Sequence, residues 1–410
     1  MKHSRQSFAL EEIVRFNRSF KKRLRRLKFA RMDMGAFQFF RGTDHLFASY
    51  WEKLKPADAG PPLLTCGDLH LENFGGYRAD NGDFYFDIND FDEAVVAPCS
   101  FDLVRCTTSI LLAAGQWQLS PRVTTELATA YLNQFRTTVK QATAAQPIHP
   151  STRWDAVAAD LLGPTALATQ QQLLEHETSE KKSGRRSIVR SKQKHPDIRP
   201  QRAAAVRKAV EGYGRRIGRA AEYRTLDVAG RIAGIGSLGV RRYTVLVEGS
   251  GPPWGYRLLD VKEARPSSIL TCARGPQLHD RRDDARRVVA AQKHLQAEPT
   301  ANLDVLHIGR RGFRMREMIP DENRSRIDRF EKEESKLHRA VQLAGRLTAI
   351  SQLRGSRVNG HDCQAGLKHW AAGPALDEVL AAATRYVGRM CCDYEAFHRA
   401  CQRCGPGLGV

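Results

Sequence analysis

Acidic and amide side chains are concentrated in one stretch of the sequence, between residues 68 and 102. The acids that follow Tyr85 alternate with apolar residues on a strand-like run and its turn, so we expect them to converge at a strand end. Such a group suits a hard cation, because Mg²⁺ binds one or two carboxylates and completes its shell with an amide oxygen, waters and substrate phosphates. An acidic loop held by Asx turns is the structural alternative. The residues concerned are Asp68, His70, Asn73, Asp87, Asn89, Asp90, Asp92, Glu93 and Asp102.

A glycine-rich segment with GxGxxG spacing lies much further along the chain and contains Gly234, Gly236, Ser237 and Gly239. The dinucleotide-binding form of this motif opens a helix, whereas the residues after Gly239 alternate like a strand. A glycine hairpin between two strands is the form in which kinases cover phosphates with backbone N–H groups. A plain tight hairpin is the structural alternative.

A single lysine, Lys262, lies in the next strand-like run, among mostly apolar residues. Burying this cation without an anion is costly, unless its side chain reaches the surface of the lobe. The run resembles the Val-Ala-Ile-Lys strand of protein kinases, which implies that Lys262 contacts the α- and β-phosphates of ATP. The helix predicted over 280–296 lacks the glutamate that pairs with this lysine in kinases. Glu317 and Met318 resemble the hinge that meets the nucleotide.

The acidic segment resembles the catalytic core of aminoglycoside and choline phosphotransferases, which belong to the protein-kinase-like fold. The shared pattern is a Gly-Asp-Leu-His loop with Asn five residues after Asp, then an Asp-Phe metal motif and a helix-opening Asp-Leu. This resemblance implies that Asp68 is the catalytic base, that Asn73 and Asp90 hold Mg²⁺, and that Asp102 braces the loop. Cys66 stands where that family usually has His.

Two assignments within the acidic segment stay open. Asp87 is the rival of Asp90 as metal ligand, although the residues after Asp90 and the interval to Asp102 fit the phosphotransferase pattern better. His70 either bridges the loop to the metal-binding turn or is a structural histidine.

Five segments are predicted for this chain of 410 residues, which is long enough for two or three lobes of α+β class. Residues 1–60 form a basic helical segment, and residues 61–175 carry the catalytic and metal loops followed by helices. Residues 176–220 form a basic linker or helix. Residues 221–320 form a β lobe of five strands with one helix between the third and fourth, and residues 321–410 are mostly helical.

The composition excludes several classes of protein. With 41% hydrophobic residues the chain is too apolar for wholesale disorder, and no stretch is apolar enough for a membrane span. Glu11, Glu12 and Arg15 interrupt any secretory signal, so the protein is predicted to be cytoplasmic with its nine cysteines reduced. A zinc site is disfavoured, because adjacent cysteines on a helix point to different faces. Its candidate ligands are Cys391, Cys392, His398, Cys401 and Cys404.

The net charge of +20 and the basic tract from Lys181 to Arg219 attract polyanions, so nucleic acid is an alternative partner, although not the favoured one. The tract has one aromatic residue, Tyr213, and shows no nucleic-acid-binding module. We therefore predict a solvated and partly mobile surface here.

The whole chain is similar to a bacterial family known as domain of unknown function 2252, over most of residues 15–400. That family is grouped with kinase-like folds, so the similarity bears on fold more than on reaction. Because the catalytic loop precedes the glycine segment, a shared site implies a circularly permuted, two-lobe kinase-like fold. The predicted function is ATP- and Mg²⁺-dependent phosphoryl transfer to a hydroxyl of a small molecule or protein. Nucleotidyl transfer, or non-catalytic binding of nucleotide or nucleic acid, is the alternative.

Overall fold

The computed structural model describes residues 2–141, 156–162, 170–180, 184–252, 255–273, 283–320, 325, 327–358, 360–406 and 408. Within these ranges the chain is a mixed α+β protein, in agreement with the predicted class. No helix among them is long and apolar enough to cross a bilayer.

The elements of the described ranges are numbered in chain order. The helices are α1 (Lys2–Asn17), α2 (Lys22–Met32), α3 (Ala36–Gly42), α4 (Asp44–Leu54), α5 (Ser100–Gln116), α6 (Pro121–Gln141), α7 (Ala156–Leu162), α8 (Gln170–Glu177), α9 (Pro200–Arg216), α10 (Asp284–Leu295), α11 (Glu334–Gly355), α12 (Gln364–Ala372) and α13 (Ala375–Cys404). The strands are β1 (Pro62–Thr65), β2 (Phe74–Arg78), β3 (Phe84–Ile88), β4 (Val95–Pro98), β5 (Thr178–Glu180), β6 (Arg186–Ile188), β7 (Thr225–Gly230), β8 (Arg242–Val247), β9 (Arg257–Glu263), β10 (Asp304–Ile308), β11 (Arg311–Glu317), β12 (Arg357–Val358) and β13 (His361–Asp362).

The largest sheet is antiparallel, and its strands follow the order β10, β11, β9, β8, β7. These are the five strands predicted for the β lobe, with α10 between the third and the fourth. Because strand side chains alternate between faces, Val245, Val261 and Phe313 pack on the side covered by α9. Lys262 and Arg314, one residue further along their strands, lie on the opposite face.

The helical part of the molecule combines segments from both ends of the chain. Helix α11 packs along α6, and α13 packs along α5. Phe47 stacks on Tyr386 with ring centroids 4.3 Å apart and meets Phe101 edge-on at 5.0 Å. Residues before position 142 and after position 334 therefore share one hydrophobic core.

The N-terminal segment differs from the single amphipathic helix that the spacing of Phe16, Phe20, Leu24 and Leu27 predicts. The helix is interrupted between α1 and α2, and Phe20 lies in the interruption. Its ring packs directly on Gly239, where a Cβ atom would lie 2.8 Å from a ring carbon. The contact of Phe20 with the glycine segment thus coincides with the break between α1 and α2.

The basic tract is folded where the structure describes it: residues 184–216 include β6 and α9, and one side of α9 packs on the sheet. Val206 and Val210 of α9 are completely buried against the sheet. Arg190 donates hydrogen bonds to Asp227 at 2.8 and 3.0 Å. The outer face of the sheet is apolar and has to be shielded from water, and α9 of this tract packs against it. Residues 181–183 lie outside the described part.

Candidate active site

One cleft between the β sheet and the acidic segment brings together residues that are far apart in the sequence. Seven of the predicted site residues line it: Asp68, Asn73, Asp90, Gly234, Gly236, Ser237 and Lys262. Three predicted residues do not line it: Gly239, Glu317 and Met318.

The acidic wall of the cleft, residues 67–93, is fixed mainly by backbone contacts. Asp102, in the first turn of α5, accepts hydrogen bonds from the backbone N–H groups of Cys66 and Gly67, each at 3.0 Å. Gly67 has φ +88, and a Cβ atom there would lie 2.7 Å from the carbonyl carbon of Glu93. The chain can therefore fold Asp68 and Glu93 into one wall only with a glycine at this position.

Asp68 is paired with Arg105, a completely buried residue of α5. Arg105 Nε donates to Asp68 at 2.6 Å and also lies 3.0 Å from Asp44. The guanidinium lies over the ring of Phe40, 4.2 Å from its centroid. Burial raises the pKa of Asp68, Arg105 opposes this shift, and the negative charge of Asp90 adds to it. Asp68 is thus a positioned carboxylate with a strengthened affinity for a proton.

His70 and Asn73 hold the turn after Asp68. Asn73 Oδ1 accepts from the His70 backbone N–H at 2.9 Å, and His70 Nδ1 accepts from the Glu72 N–H at 3.1 Å. Burial and the nearby charges of Arg41 and Arg105 lower the pKa of His70 well below its ordinary value. His70 is therefore a neutral structural histidine. Its neighbour Asn73 keeps an oxygen lone pair for a ligand.

Asp90 and Asp87 have opposite environments. Asp90 is exposed in the cleft, and no lysine or arginine of the described ranges lies within salt-bridge distance of it. Asp87 is buried outside the cleft, where it accepts from the backbone N–H groups of Ile88 at 2.8 Å and Ala297 at 3.0 Å. Of the two rivals, only Asp90 has a carboxylate that a ligand in the cleft can reach.

The cationic wall consists of Arg231, Arg242, Lys262, Arg314 and Arg316. Strand register sets it, because Lys262 on β9 lies directly opposite Arg242 on β8 and Arg314 on β11. Like charges opposite each other in a sheet destabilise it unless anions are near. Three adjacent strands thus present a row of three cations to the cleft.

Two aspartates partly neutralise this row. Asp260 accepts from Arg242 at 2.6 and 2.7 Å and from Arg314 at 2.8 Å. Burial opposes ionisation of Asp260, but these guanidinium groups hold its pKa well below the ordinary value. Lys262 forms an ion pair with Asp92 of the acidic wall. Burial would raise the pKa of Asp92, but Lys262 and then Arg314 lower it to about 2.

Helix α10 contributes Arg287 to this region, and the partner of Lys262 that the sequence left open is Asp92. Arg287 donates to the backbone oxygens of Asp92 and Ala94, each at 2.9 Å, and to that of Arg265 at 2.8 Å. Helix α10 thereby holds the acidic wall against the β lobe, and it leaves Lys262 to pair with Asp92.

The glycine segment forms a hairpin loop between β7 and β8, as its flanks predict. Gly234 has φ +56, and Ser237 Oγ donates to the Ala233 oxygen at 2.6 Å. A Cβ atom on Gly236 would meet only the Arg41 oxygen, at 3.7 Å. Gly236 therefore leaves open space at the cleft, whereas Gly239 serves the packing of Phe20.

The predicted hinge residues point away from the cleft. Glu317 accepts from Arg78 at 2.8 Å, and its backbone N–H donates to the Ala301 oxygen at 2.7 Å. Met318 is buried in a separate core cluster, and its N–H donates to the Leu258 oxygen at 2.8 Å. Both amides are therefore occupied within the protein.

Two basic side chains of the N-terminal helices also line the cleft, buried Lys28 and half-buried His45. Lys28 is 2% exposed and lies 5.6 Å from the ring centroids of Phe16 and Phe20. Burial lowers its pKa to about 8. His45 stacks on Phe16 at 4.0 Å, and its Nε2 is buried without a hydrogen-bond partner in the described ranges. Both side chains therefore add polar groups to the lining of the cleft.

The sequence reasoning missed most of the basic residues of the site. Arg314 and Arg316 alternate with apolar residues along β11, and Asp260 alternates with Lys262 along β9. Charges at every second position of a strand are the signal that could have found them. Nothing in the sequence marks Arg105 and Lys28 in this way, because each lies in a helix whose pattern of polar and apolar residues does not set it apart.

The C-terminal cysteines show no metal site. Among the residues that the structure describes, no group of three or more His, Cys, Asp or Glu side chains could hold a metal ion. His398 pairs with Asp33 at 2.9 Å, and all nine cysteines are free.

A family model described as an uncharacterized protein conserved in bacteria, DUF2252, matches residues 20–400. The chain belongs to the DUF2252 family. No curated protein and no solved structure matches it. The DUF2252 description names no reaction.

Proposed function

We propose that this DUF2252 protein is an ATP- and Mg²⁺-dependent phosphotransferase acting on a hydroxyl of a small molecule or a protein. One observation carries the proposal: the cleft joins the Asp68 to Asp90 segment to Lys262 and the glycine loop. Phosphoryl transfer demands positioning and charge stabilisation more than covalent chemistry, and these residue types supply both.

The arrangement of elements supports a circularly permuted, protein-kinase-like fold with two lobes. The β lobe has a glycine hairpin between its first two strands, a lysine on its third, and a helix before its fourth. The helical lobe is assembled from segments before and after the β lobe in sequence. A permuted chain produces this connectivity, because a site depends on contacts and not on chain order.

The acidic wall has donors that fit Mg²⁺. Asp90 offers a carboxylate without a described cationic partner, and Asn73 offers an amide oxygen in the same cleft. Both are hard oxygen ligands, and Mg²⁺ in phosphotransferases needs few protein ligands beside phosphates and waters. When bound there, Mg²⁺ neutralises charge on the transferring phosphoryl group.

Asp68 accepts the proton of the acceptor hydroxyl in this proposal. Its pairing with Arg105 fixes the orientation of the carboxylate, and burial raises its pKa toward that of a useful base. Lys262 exchanges its ion pair with Asp92 for contacts to phosphate oxygens. The open space at Gly236 lets the loop backbone approach the phosphates.

Thermal unfolding of the full chain tests the nucleotide part of the proposal. We expect ATP to raise Tm only when Mg²⁺ is present. The variant Asp90→Asn removes the Mg²⁺-dependent shift, whereas Asp83→Asn, in the exposed turn between β2 and β3, keeps it. An unchanged Tm with ATP and Mg²⁺, or a full shift in Asp90→Asn, contradicts the proposal.

The position of a radioactive label on ATP distinguishes the two transfer reactions. Incubation with a bacterial small-molecule extract, or with water as the only acceptor, is expected to release label from the γ-phosphate. Transfer of label from the α-phosphate to an acceptor favours nucleotidyl transfer instead. Stabilisation by DNA with steep salt dependence, and none by ATP, favours nucleic-acid binding.

A further inference from the structure

The cationic wall has more positive charge than its aspartates balance. Within salt-bridge distance of its five cations, the described ranges place two carboxylates, those of Asp92 and Asp260. Arg316 is the clearest excess charge, because no carboxylate of the described ranges lies within salt-bridge distance. Its guanidinium donates to the Asn89 backbone oxygen at 3.0 Å. Burial and then the charge of Arg314 lower its pKa to about 9.

A buried cation beside another cation is costly until an anion arrives. The register places the Thr244, Asp260 and Arg316 row next to the Arg242, Lys262 and Arg314 row, on one face of the sheet. Guanidinium groups bind phosphate oxygens through charge-assisted hydrogen bonds, often in pairs. Several phosphates in a chain can therefore be held along this face.

The described part of the cleft offers little for a nucleotide base. Small-molecule sites that bind flat rings are lined mainly by apolar and aromatic side chains. Here the apolar lining consists of Cys66 and four larger side chains, Phe16, Phe74, Ile235 and Ile319, none of them from the charged strand face. The predicted hinge amides of Glu317 and Met318, which could bind the edge of a base, donate to Ala301 and Leu258 instead.

We infer that the donor site binds the triphosphate group and does not read the base. The chemistry shared by nucleoside triphosphates and inorganic tripolyphosphate is then sufficient for binding. This inference rests on the proposed function and specifies the class of phosphoryl donor. Arg316 is a triphosphate-binding residue in it, because no carboxylate of the described residues pairs with its guanidinium, which donates only to the Asn89 backbone oxygen among them.

Isothermal titration of the full chain with MgATP, MgGTP, magnesium tripolyphosphate and adenosine tests the inference. We expect the three triphosphate ligands to have dissociation constants within about tenfold of each other, and adenosine not to bind. Arg316→Gln weakens all three by about tenfold or more, the effect of one charge-assisted hydrogen bond. Arg311→Gln, an exposed arginine on the same strand, leaves all three unchanged.

Three outcomes overturn the inference. If MgATP binds more than about a hundredfold tighter than magnesium tripolyphosphate, or if adenosine competes, the base is read and the proposed function stands. If Arg316→Gln binds every ligand as the unaltered protein does, the excess charge is not used. If no triphosphate binds at all, the proposed function fails together with the inference.

Discussion

The acidic wall and the cationic wall of the cleft are held in place by different means. Backbone hydrogen bonds to Asp102 and a required glycine at position 67 shape the acidic wall within one short stretch of sequence. Strand register shapes the cationic wall, by aligning Arg242, Lys262 and Arg314 from three separate strands. The acidic wall is suited to a fixed reaction geometry, and the cationic wall is suited to binding a flexible polyanion.

This division predicts that Asp68 of the acidic wall controls the reaction rate and that the cationic wall controls affinity. Asp68→Asn is expected to lower the rate of γ-phosphate release or transfer by about 10²- to 10⁴-fold, because a general base is lost. Arg105 keeps its pairing with Asp44, so the fold should persist. Single-turnover assays measure the rate, and titration should give an unchanged Kd for MgATP. A large loss of affinity with an unchanged rate would reverse the division.

Two glycines give the sharpest contrast in stability. Gly67→Ala combines a φ of +88 with a clash against the Glu93 backbone, so we expect a loss of about 4 kcal/mol in unfolding free energy. Gly236→Ala has open space and is expected to cost less than about 1 kcal/mol. Urea denaturation compares the two. Equal losses would mean that the acidic wall does not depend on the close approach at Gly67.

Lys28 connects the acidic wall to the pH dependence of stability. Its folded pKa of about 8 lies below the ordinary 10.5, so between these values the unfolded chain binds more protons than the folded chain. Stability therefore rises with pH across this window, by about 3 kcal/mol from this group alone. Lys28→Met removes that rise and stabilises the protein at pH 7.

Denaturation at several pH values between 7 and 11 measures the Lys28 effect. Lys53→Met, on an exposed face of α4, is the matched control and should retain the rise. A Lys28→Met curve that is parallel to the unaltered one would show that Lys28 is charged and compensated in the folded protein.

Substitutions in the ion pair between Lys262 and Asp92, which joins the two walls, are expected to have the smallest effect on binding. Lys262→Met is expected to weaken MgATP binding by about tenfold, because a cation in contact with phosphate is lost. Asp92→Asn should leave binding equal or tighter, since Lys262 no longer has a competing carboxylate. Titration calorimetry compares the two. Equal weakening in both variants would mean that Asp92 itself contacts the ligand.

Local features of the site could be predicted because they depend on neighbouring residues. The acids after β3, the glycine hairpin and the lysine on β9 follow from strand alternation and turn chemistry within short segments. The β lobe with α10 between its third and fourth strands is predictable for the same reason. Asp87 and Asp90 show the limit of prediction from local sequence. Both belong to the same local pattern, but Asp87 is buried outside the cleft and Asp90 is exposed in it.

The sequence alone determined that this DUF2252 chain has an acidic turn, a glycine hairpin and a strand with one lysine. Only the tertiary structure decided that Lys262 pairs with Asp92, that Phe20 between α1 and α2 packs on Gly239, and that Glu317 and Met318 point away from the cleft. Alternation and turns are set by residues a few positions apart. Register between strands, and the charges that it aligns, depend on packing between segments far apart in the chain.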